Sequence, residues 1–432
     1  MQYYSLNKQS PDVNFKEATI LGQAPDKGLY FPRFIPDVDK QLITKIQSYT
    51  KQELAFKIML PYVGDTIPED VLYQIVKETI DFDFPLISIN DSISSLELFH
   101  GPTLAFKDVG ARFMSRCLGF FSKDQSNKIT VLVATSGDTG GAVANGFLDV
   151  DGVDVVILYP SGKVSPVQEL QLTTCGQNIT ALEVNGSFDN CQAMVKQAFM
   201  DADLKKHMQL TSANSINVAR WLPQQFYYFF AYQQWIDQQQ PPVICVPSGN
   251  FGNICAGLLA FISGLPIAHF IAACNVNDAV PDYLRTGMYL PKKSVSTISN
   301  AMDVGDPSNF IRILEIFQND YATISKLISG YTVTDRQTKK TIRKVYQSVG
   351  YVLDPHGAVA YNALDQYLQV HPHQKGIIVE TAHPVKFPET VEKAIGKPVA
   401  IPDSAKDLFI KEKISIFVDA DFIDLKNYLL KR

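Results

Sequence analysis

What this sequence lacks narrows its chemistry before any motif is considered. Lys and Arg are outnumbered by Asp and Glu, 39 to 44 in 432 residues, and no basic cluster interrupts the chain. Nothing here would track a phosphate backbone, so no nucleic-acid partner is expected. No stretch approaches the ~18 uninterrupted apolar residues of a spanning helix. The richest candidate, residues 226–232, is bounded by Gln225 and by Gln233 and Gln234, and no membrane partner is expected. Residues 1–8 show no charged start followed by an apolar core, so no secretory signal is expected. The six cysteines (117, 175, 191, 245, 255 and 274) form no CxxC pair, and Cys245 and Cys255 sit in apolar runs. That usage suits reduced, buried thiols in a cytoplasmic protein. The seven histidines do not cluster; His371 and His373 merely flank a proline in a polar stretch, and no metal is expected. Neither a GxGxxG turn nor a GxxxxGK[ST] loop is present, which argues against nucleotide binding.

What is there reads as an α/β protein. Hydrophobic residues make up 46% and charged ones 19%, the balance of a globular chain, and the length asks for two or three packed units. From about residue 129 onward, nearly continuous apolar runs alternate with Gly/Ser/Asn-rich turns and helix-like segments. The expected strands lie at 129–134, 153–159, 178–184, 243–246, 268–274 and 377–381. Helices are expected at 142–147, 166–173, 189–199, 254–262 and 388–395. Such strand–loop–helix units imply parallel crossovers, and their unbroken apolar runs imply strands covered on both faces. Residues 1–90 differ, with an amphipathic run at 41–59 and a helix at 69–79, and read as a separate, mostly helical unit.

In an open parallel sheet, ligands sit beyond the carboxyl ends of the strands. The polar, glycine-rich loops fall there: 135–141, 160–163, 248–253 and 380–383. The loop Ser248-Gly249-Asn250-Phe251-Gly252-Asn253 has phosphate chemistry, with glycines that let backbone N–H groups converge and a helix start behind them. It reads equally as a plain strand-to-helix turn, which also uses Ser, Gly and Asn. Lys107, in Thr103-Leu104-Ala105-Phe106-Lys107-Asp108, has apolar residues before it. In a low-dielectric pocket its amine would be neutral and able to form a Schiff base; on a helix surface it would simply lay its stem down and keep its head in water.

Residues 97–108, Glu-Leu-Phe-His-Gly-Pro-Thr-Leu-Ala-Phe-Lys-Asp, resemble the cofactor-lysine segment of threonine synthases. The resemblance runs in order through most of the chain: Gly28-Leu29-Tyr30-Phe31-Pro32, Ala134-Thr135-Ser136-Gly137-Asp138-Thr139-Gly140, Tyr159-Pro160-Ser161-Gly162-Lys163-Val164-Ser165-Pro166, Ser212-Ala213-Asn214-Ser215-Ile216-Asn217, the 247–253 loop, Ser299-Asn300-Ala301-Met302-Asp303-Val304 and Thr381-Ala382-His383-Pro384. Its form is that of the bacterial and fungal branch; the last ~35 residues carry no motif.

The resemblance implies a fold-type-II pyridoxal 5'-phosphate enzyme, a carbon–oxygen lyase with two parallel-sheet α/β subdomains and a helical N-terminal unit. It would turn O-phospho-L-homoserine and water into L-threonine and phosphate. Its expected parts are 1–90, a catalytic region 91–395 with a smaller mobile portion at about 111–215, and an extension 396–432. Lys107 would anchor the cofactor and move protons. Ser248, Gly249, Asn250, Phe251, Gly252 and Asn253 would bind its phosphate, and Thr381 its ring nitrogen. Ser136, Asp138 and Thr139 would meet the amino-acid end of the substrate. Lys163 and Arg220, with Asn214, Ser215 and Asn217, would meet the leaving phosphate. For Asn300 and Asp303 a loop cap and a supporting role are equally open. A monomer or weak homodimer is expected. A related phospho-lyase, another fold-type-II lyase or dehydratase, and a non-catalytic binding relative are the alternatives.

Overall fold

In the computed structural model, residues 1–123, 128–237 and 239–431 are described; Arg432, the last residue of the expected extension, lies outside them. The N-terminal unit opens with strands β1 (Gln2–Ser5), β2 (Val13–Asn14) and β3 (Tyr30–Pro32), an antiparallel sheet in the order β2-β1-β3. The expectation of a mostly helical unit missed this sheet, because two- to four-residue strands give too short a pattern to read. The amphipathic run at 41–59 is three pieces, helix Lys40–Thr44, a 3-10 turn Ile46–Ser48 and helix Lys51–Val63. Thr50 starts the last piece with a capping box to Glu53, which satisfies two end donors at once.

Strands β4 (Leu86–Ser88) and β5 (Ile93–Glu97) then begin a six-stranded sheet. The chain leaves it to build β6 (Ile129–Ala134), β7 (Val153–Pro160), β8 (Ile179–Asn185) and β9 (Gln209–Ser212). It returns with β10 (Val243–Pro247), β11 (His269–Cys274), β12 (Ile328–Thr332) and β13 (Gly376–Glu380). Last comes β14 (Ile416–Asp419), which joins the second sheet. The orders are β12-β11-β10-β13-β5-β4 and β14-β8-β7-β6-β9. Every pair in both sheets is parallel except β4 with β5. Beyond residue 396, then, the chain is integrated rather than appended: β14 pairs with β8, and helix Phe422–Leu430 buries Leu425 and Leu429 in that sheet's outer core.

The unbroken apolar strands serve two cores at once. Along β6, Ile129, Val131 and Val133 enter the large shared core, whereas Leu132 and Ala134 point into the outer core of their own sheet. On β10, Ile244 and Val246 face the shared core, and Val243 and Cys245 the far side. Period-two alternation is thus present but invisible as polarity, since both faces are dry. The shared core also takes in helices Lys107–Ser122 and Gln225–Gln234, the latter carrying Phe226, Tyr227, Tyr228, Phe229 and Phe230. Fully burying one such ring is worth roughly 1.5–3 kcal/mol, which explains how a helix apolar all round is retained.

Candidate active site

The loops at the carboxyl ends of β5, β6, β9, β10 and β13 hold the residues singled out by sequence. Lys107 is the first residue of its helix. The turn before it is tied down on several sides. The Phe106 N–H donates to the Thr381 carbonyl at 2.9 Å and the His383 N–H to Leu104 at 3.0 Å, while the Tyr227 hydroxyl donates to the Phe106 carbonyl. Leu104 adopts a positive φ of 57°, a conformation that costs an ordinary residue about 1 kcal/mol and persists where its surroundings impose it. The Asp108 carboxylate, buried, accepts from both the Thr103 N–H at 2.9 Å and the Thr103 hydroxyl. Phe106, the residue before Lys107, and Thr381, far apart in sequence, are therefore neighbours across one backbone hydrogen bond.

Lys107 is partly buried and makes no hydrogen bond or ion pair among the described residues. Burial is the main cause that lowers its proton affinity; Asp138 opposes this, and the positive charges of Lys386 and Arg220 add to it. An amine so placed gives up its proton more readily than a solvated one, which favours its use as a nucleophile.

Beyond β10 the chain turns through the 248–253 loop into helix Gly252–Ile262. This helix starts two residues before the expected 254, so Gly252 and Asn253 lie in its first turn, where N–H groups lack intrahelical acceptors. Phe251 caps it in the left-handed region at φ 60°. Gly249 has no room for a side chain: a Cβ would sit 2.6 Å from the Ala301 oxygen and 2.8 Å from the Met302 Cα. Asn250 donates to Ser215 Oγ at 2.7 Å and accepts from the Ser308 N–H at 2.6 Å. The Asn253 Oδ1 accepts from the Tyr228 hydroxyl at 2.9 Å, while its Nδ2 is buried without a partner. An amide donor without a partner among the described residues, beside a helix N-terminus, is a donor set suited to an anion.

Helix Asp138–Phe147 likewise starts earlier than expected, at Asp138, with Gly137 at φ 136° before it. Thr135 Oγ1 accepts from the Gly137 and Gly140 N–H groups, at 3.0 and 2.9 Å. The hydroxyls of Ser136 and Thr139, partly buried at that helix start, make no hydrogen bond among the described residues. Asp138 itself is engaged: Oδ1 lies 2.6 Å from Lys386 Nζ and accepts from Gln168 Nε2 at 2.8 Å. Burial alone would raise its carboxyl, but Lys386 and then Lys107 outweigh that and hold it well below the usual range.

The remaining candidates divide. Arg220 is buried, donates from Nη1 to the Ala213 carbonyl at 2.9 Å, and has an unpartnered Nε. No carboxylate pairs with it among the described residues, and burial pushes its guanidinium down to about 10. Asn214 Oδ1 is buried without a partner. Ser215 Oγ accepts from Asn250 and, at 3.2 Å, from Asn309. Asn217 is fully used as a cap: Nδ2 donates to Thr19 and Ser212 carbonyls and Oδ1 accepts from the Ala219 N–H. Lys163 is exposed on the turn after β7, and its side chain makes no hydrogen bond or ion pair among the described residues. Thr381 is buried at the end of β13, and its hydroxyl makes no hydrogen bond among the described residues. Asp303 binds Asn275, Asn277 and Thr297 and braces the 297–303 loop against Gly249; the Asn300 backbone carbonyl closes its turn.

Sequence reasoning missed three features. Lys386, fully buried, follows the Thr381-Ala382-His383-Pro384 motif by two residues. It carries the same signal as Lys107, a lysine between apolar Val385 and Phe387, and could have been found by it. Arg312 is buried too, and its donors tie Ser215, Ile216, Asn309 and Tyr30 together. Behind Thr381, Glu380 Oε1 accepts from the Asp354 N–H at 2.8 Å, and Asp354 Oδ1 lies 2.5 Å from His356 Nδ1. His356 Nε2 in turn accepts from the Ala301 N–H at 3.2 Å. Burial, then Asp354, raises the Glu380 carboxyl well above its ordinary value.

An unpaired lysine, an anion cradle at a helix start and a free hydroxyl, on neighbouring strand ends, make up the donor set of a pyridoxal-phosphate enzyme. A family model for pyridoxal-phosphate-dependent enzymes matches residues 95–380. Models for the threonine synthase N terminus and C-terminal region match 2–80 and 357–429. A curated threonine synthase of Haemophilus influenzae is 43% identical, with both chains covered completely. The crystal structure of Escherichia coli threonine synthase superposes with a TM-score of 0.93 at 41% identity, covering all of both chains. That of the pyridoxal-phosphate-bound threonine synthase from Brucella melitensis gives 0.93 at 33%, covering 99% of this chain and 98% of that one. This chain belongs to the threonine synthase family.

Proposed function

We propose that the chain releases phosphate from O-phospho-L-homoserine and adds water to give L-threonine, and that the residues above divide this work. The observation that carries the reading is the company Lys107 keeps. The start of helix Gly252–Ile262 offers donors for one phosphate, and Arg220, a buried guanidinium that no described carboxylate pairs with, stands close enough to weaken Lys107's hold on a proton.

When bound, the cofactor supplies a conjugated ring that takes up the electron pair left at a substrate carbon. The residues at 249–253 hold its phosphate through backbone N–H groups and Asn253 Nδ2. Thr381 offers its ring nitrogen a hydroxyl; a hydroxyl orients that nitrogen without protonating it. Lys107 anchors the cofactor and carries protons between Cα, Cβ and Cγ of the substrate. Ser136, Thr139 and the first N–H groups of the Asp138–Phe147 helix receive the substrate carboxylate, with Asp138 as an orienting acceptor. Arg220, with Asn214 and Ser215, receives the leaving phosphate. Lys163 reaches it only if its sheet moves inward, and such closure would also keep water out until it is added.

The moving body is about 111–215, and β14 travels with it; 1–90 and the rest of 91–395 stay fixed, with 396–432 spanning the two. We place the protein in the cytoplasm as a monomer or weak homodimer. All six cysteines are free, and no described helix is long and apolar enough to cross a membrane. The test is incubation with O-phospho-L-homoserine and assay of threonine and phosphate together. Equimolar products support the reading; phosphate without threonine makes the protein a phospho-lyase.

A further inference from the structure

A buried ion pair, Lys386 with Asp138, lies close enough to Lys107 for both of its charges to act on that amine. Asp138 is the acidic group closest in influence to Lys107, yet its Oδ1 is taken by Lys386 at 2.6 Å and by Gln168 at 2.8 Å. Lys386 is fixed in turn by the Thr103 carbonyl, which it meets at 2.9 Å and which also accepts from Gln171. Its side chain has no exposure. Gln168 is held against Asp138 from the other side, where Gly137 leaves space that any Cβ would fill at 2.4 Å. The other charged or titratable groups around Lys107 are also committed. Asp108, next on its own helix, is bound by Thr103; Arg220 is a cation; Tyr227 donates to Phe106.

We infer that Lys386 is a positioning residue for Lys107: by occupying Asp138 it denies Lys107 an ion-pair partner and so leaves that amine with no carboxylate to hold its proton when it takes the cofactor. With one carboxylate and two lysines, the lysine that wins Asp138 is held as ammonium, and the loser is free to react. The contest is settled by the backbone. Lys386 sits on a turn that its own N–H closes to the His383 carbonyl, and its Nζ meets two acceptors, Asp138 Oδ1 and the Thr103 carbonyl, whereas Lys107 Nζ meets neither at hydrogen-bond distance. The direction of Lys107's altered proton affinity, lowered by burial and by Lys386 despite Asp138, agrees with this. The inference rests on Lys107 being the cofactor lysine, as proposed above.

The test is the pH dependence of pyridoxal-phosphate capture by the full-length chain after its cofactor has been removed, read as the rate of aldehyde loss, with borohydride trapping and mapping of the modified lysine. Lys386→Gln, which keeps a donor for the Thr103 carbonyl, is expected to move the capture profile to higher pH by about one unit or more, because Lys107 then pairs with Asp138. Lys386→Arg is expected to restore the native profile, since a cation again occupies Asp138. Should Lys386→Gln fail to fold, the charge-balanced Asp138→Asn/Lys386→Gln variant replaces it. It is expected to stay within about half a unit of the native profile, because both the attraction and its counterweight are gone. A Lys386→Gln profile that overlays the native one, or a double variant whose profile falls well below it, overturns the inference. Trapping on a lysine other than Lys107 in the native chain would instead overturn the reading on which it rests.

Discussion

The Asn250 side chain donates to Ser215 Oγ at 2.7 Å, fastening the loop after β10 to the loop after β9. The two loops belong to different sheets, so this bond, with those that Asn309 makes to both loops, sets the spacing between the cradle for the cofactor and the segment that leads to Arg220. Asn250 also accepts from the Ser308 N–H at 2.6 Å. Ser215→Ala removes two hydrogen bonds, from Asn250 and Asn309, and is expected to weaken cofactor affinity by about 1 kcal/mol, the net worth of the first, since Asn309 Nδ2 keeps the Asn250 carbonyl as acceptor. Asn250→Ala should cost more, because it also strands the Ser308 donor. Equilibrium binding of pyridoxal phosphate, followed by absorbance, measures both; an Asn250→Ala chain that binds as tightly as the native one removes the loop from the cofactor site.

Gly249 and Gly162 make a contrasting pair. At Gly249 a Cβ would strike backbone on both sides, whereas at Gly162, φ 66°, nothing lies within 4 Å. Gly249→Ala is expected to lose most cofactor occupancy, since the loop must shift to admit the methyl. Gly162→Ala should cost only the left-handed strain, roughly 1 kcal/mol, with occupancy unchanged. Thermal unfolding and cofactor absorbance of the two variants separate these effects.

Arg220 is the strongest candidate for the substrate's phosphate. Arg220→Ala is expected to lower kcat/KM for O-phospho-L-homoserine by roughly 2–4 kcal/mol of transition-state stabilisation, and Arg220→Lys to recover part of it, since a point charge lacks the fork. Cofactor absorbance should be normal in both. If Arg220→Ala loses cofactor instead, the guanidinium serves the other phosphate.

Two partly buried histidines give the fold a pH dependence. Burial pushes both His269 and His383 down to about 4, and His383 Nδ1 already accepts the Val385 N–H. Both are neutral in the folded state, while the unfolded chain takes up protons near 6.5. Their contribution to stability is therefore full above about pH 6.5 and declines as pH falls from there towards 4. Urea unfolding of the native chain should show stability falling from pH 7 to pH 5. The His269→Gln/His383→Gln chain should fall less over the same range; an equal fall would mean that neither imidazole is kept neutral by the fold.

Much of this architecture was legible because buried parallel strands are unbroken apolar runs. The strand at 129–134 and the helices at 69–79, 166–173 and 388–395 lie where periodicity placed them. The helices after 135 and 251 begin earlier than read, because their first residues are polar or glycine, chosen to leave N–H groups free rather than to fill a core. β9 and β12 were not read because Gln209, Thr211, Ser329 and Gly330 dilute their apolar pattern. In the site, Lys107 and the 248–253 loop carry local signatures. Lys386 carries a local signature too, but its pairing with Asp138, that of Arg312 with Tyr30 and Ser215, and that of Glu380 with Asp354 join residues 26 to 282 positions apart, and no local pattern announces such pairings.

The central claim is that Lys107, not its buried neighbour Lys386, carries the cofactor. Borohydride reduction of the full-length yellow protein, followed by peptide mapping, tests it directly. One pyridoxyl group per chain, on Lys107, and none in the Lys107→Ala chain, is the expected result. A label on Lys386, or full labelling of the Lys107→Ala chain, would contradict it.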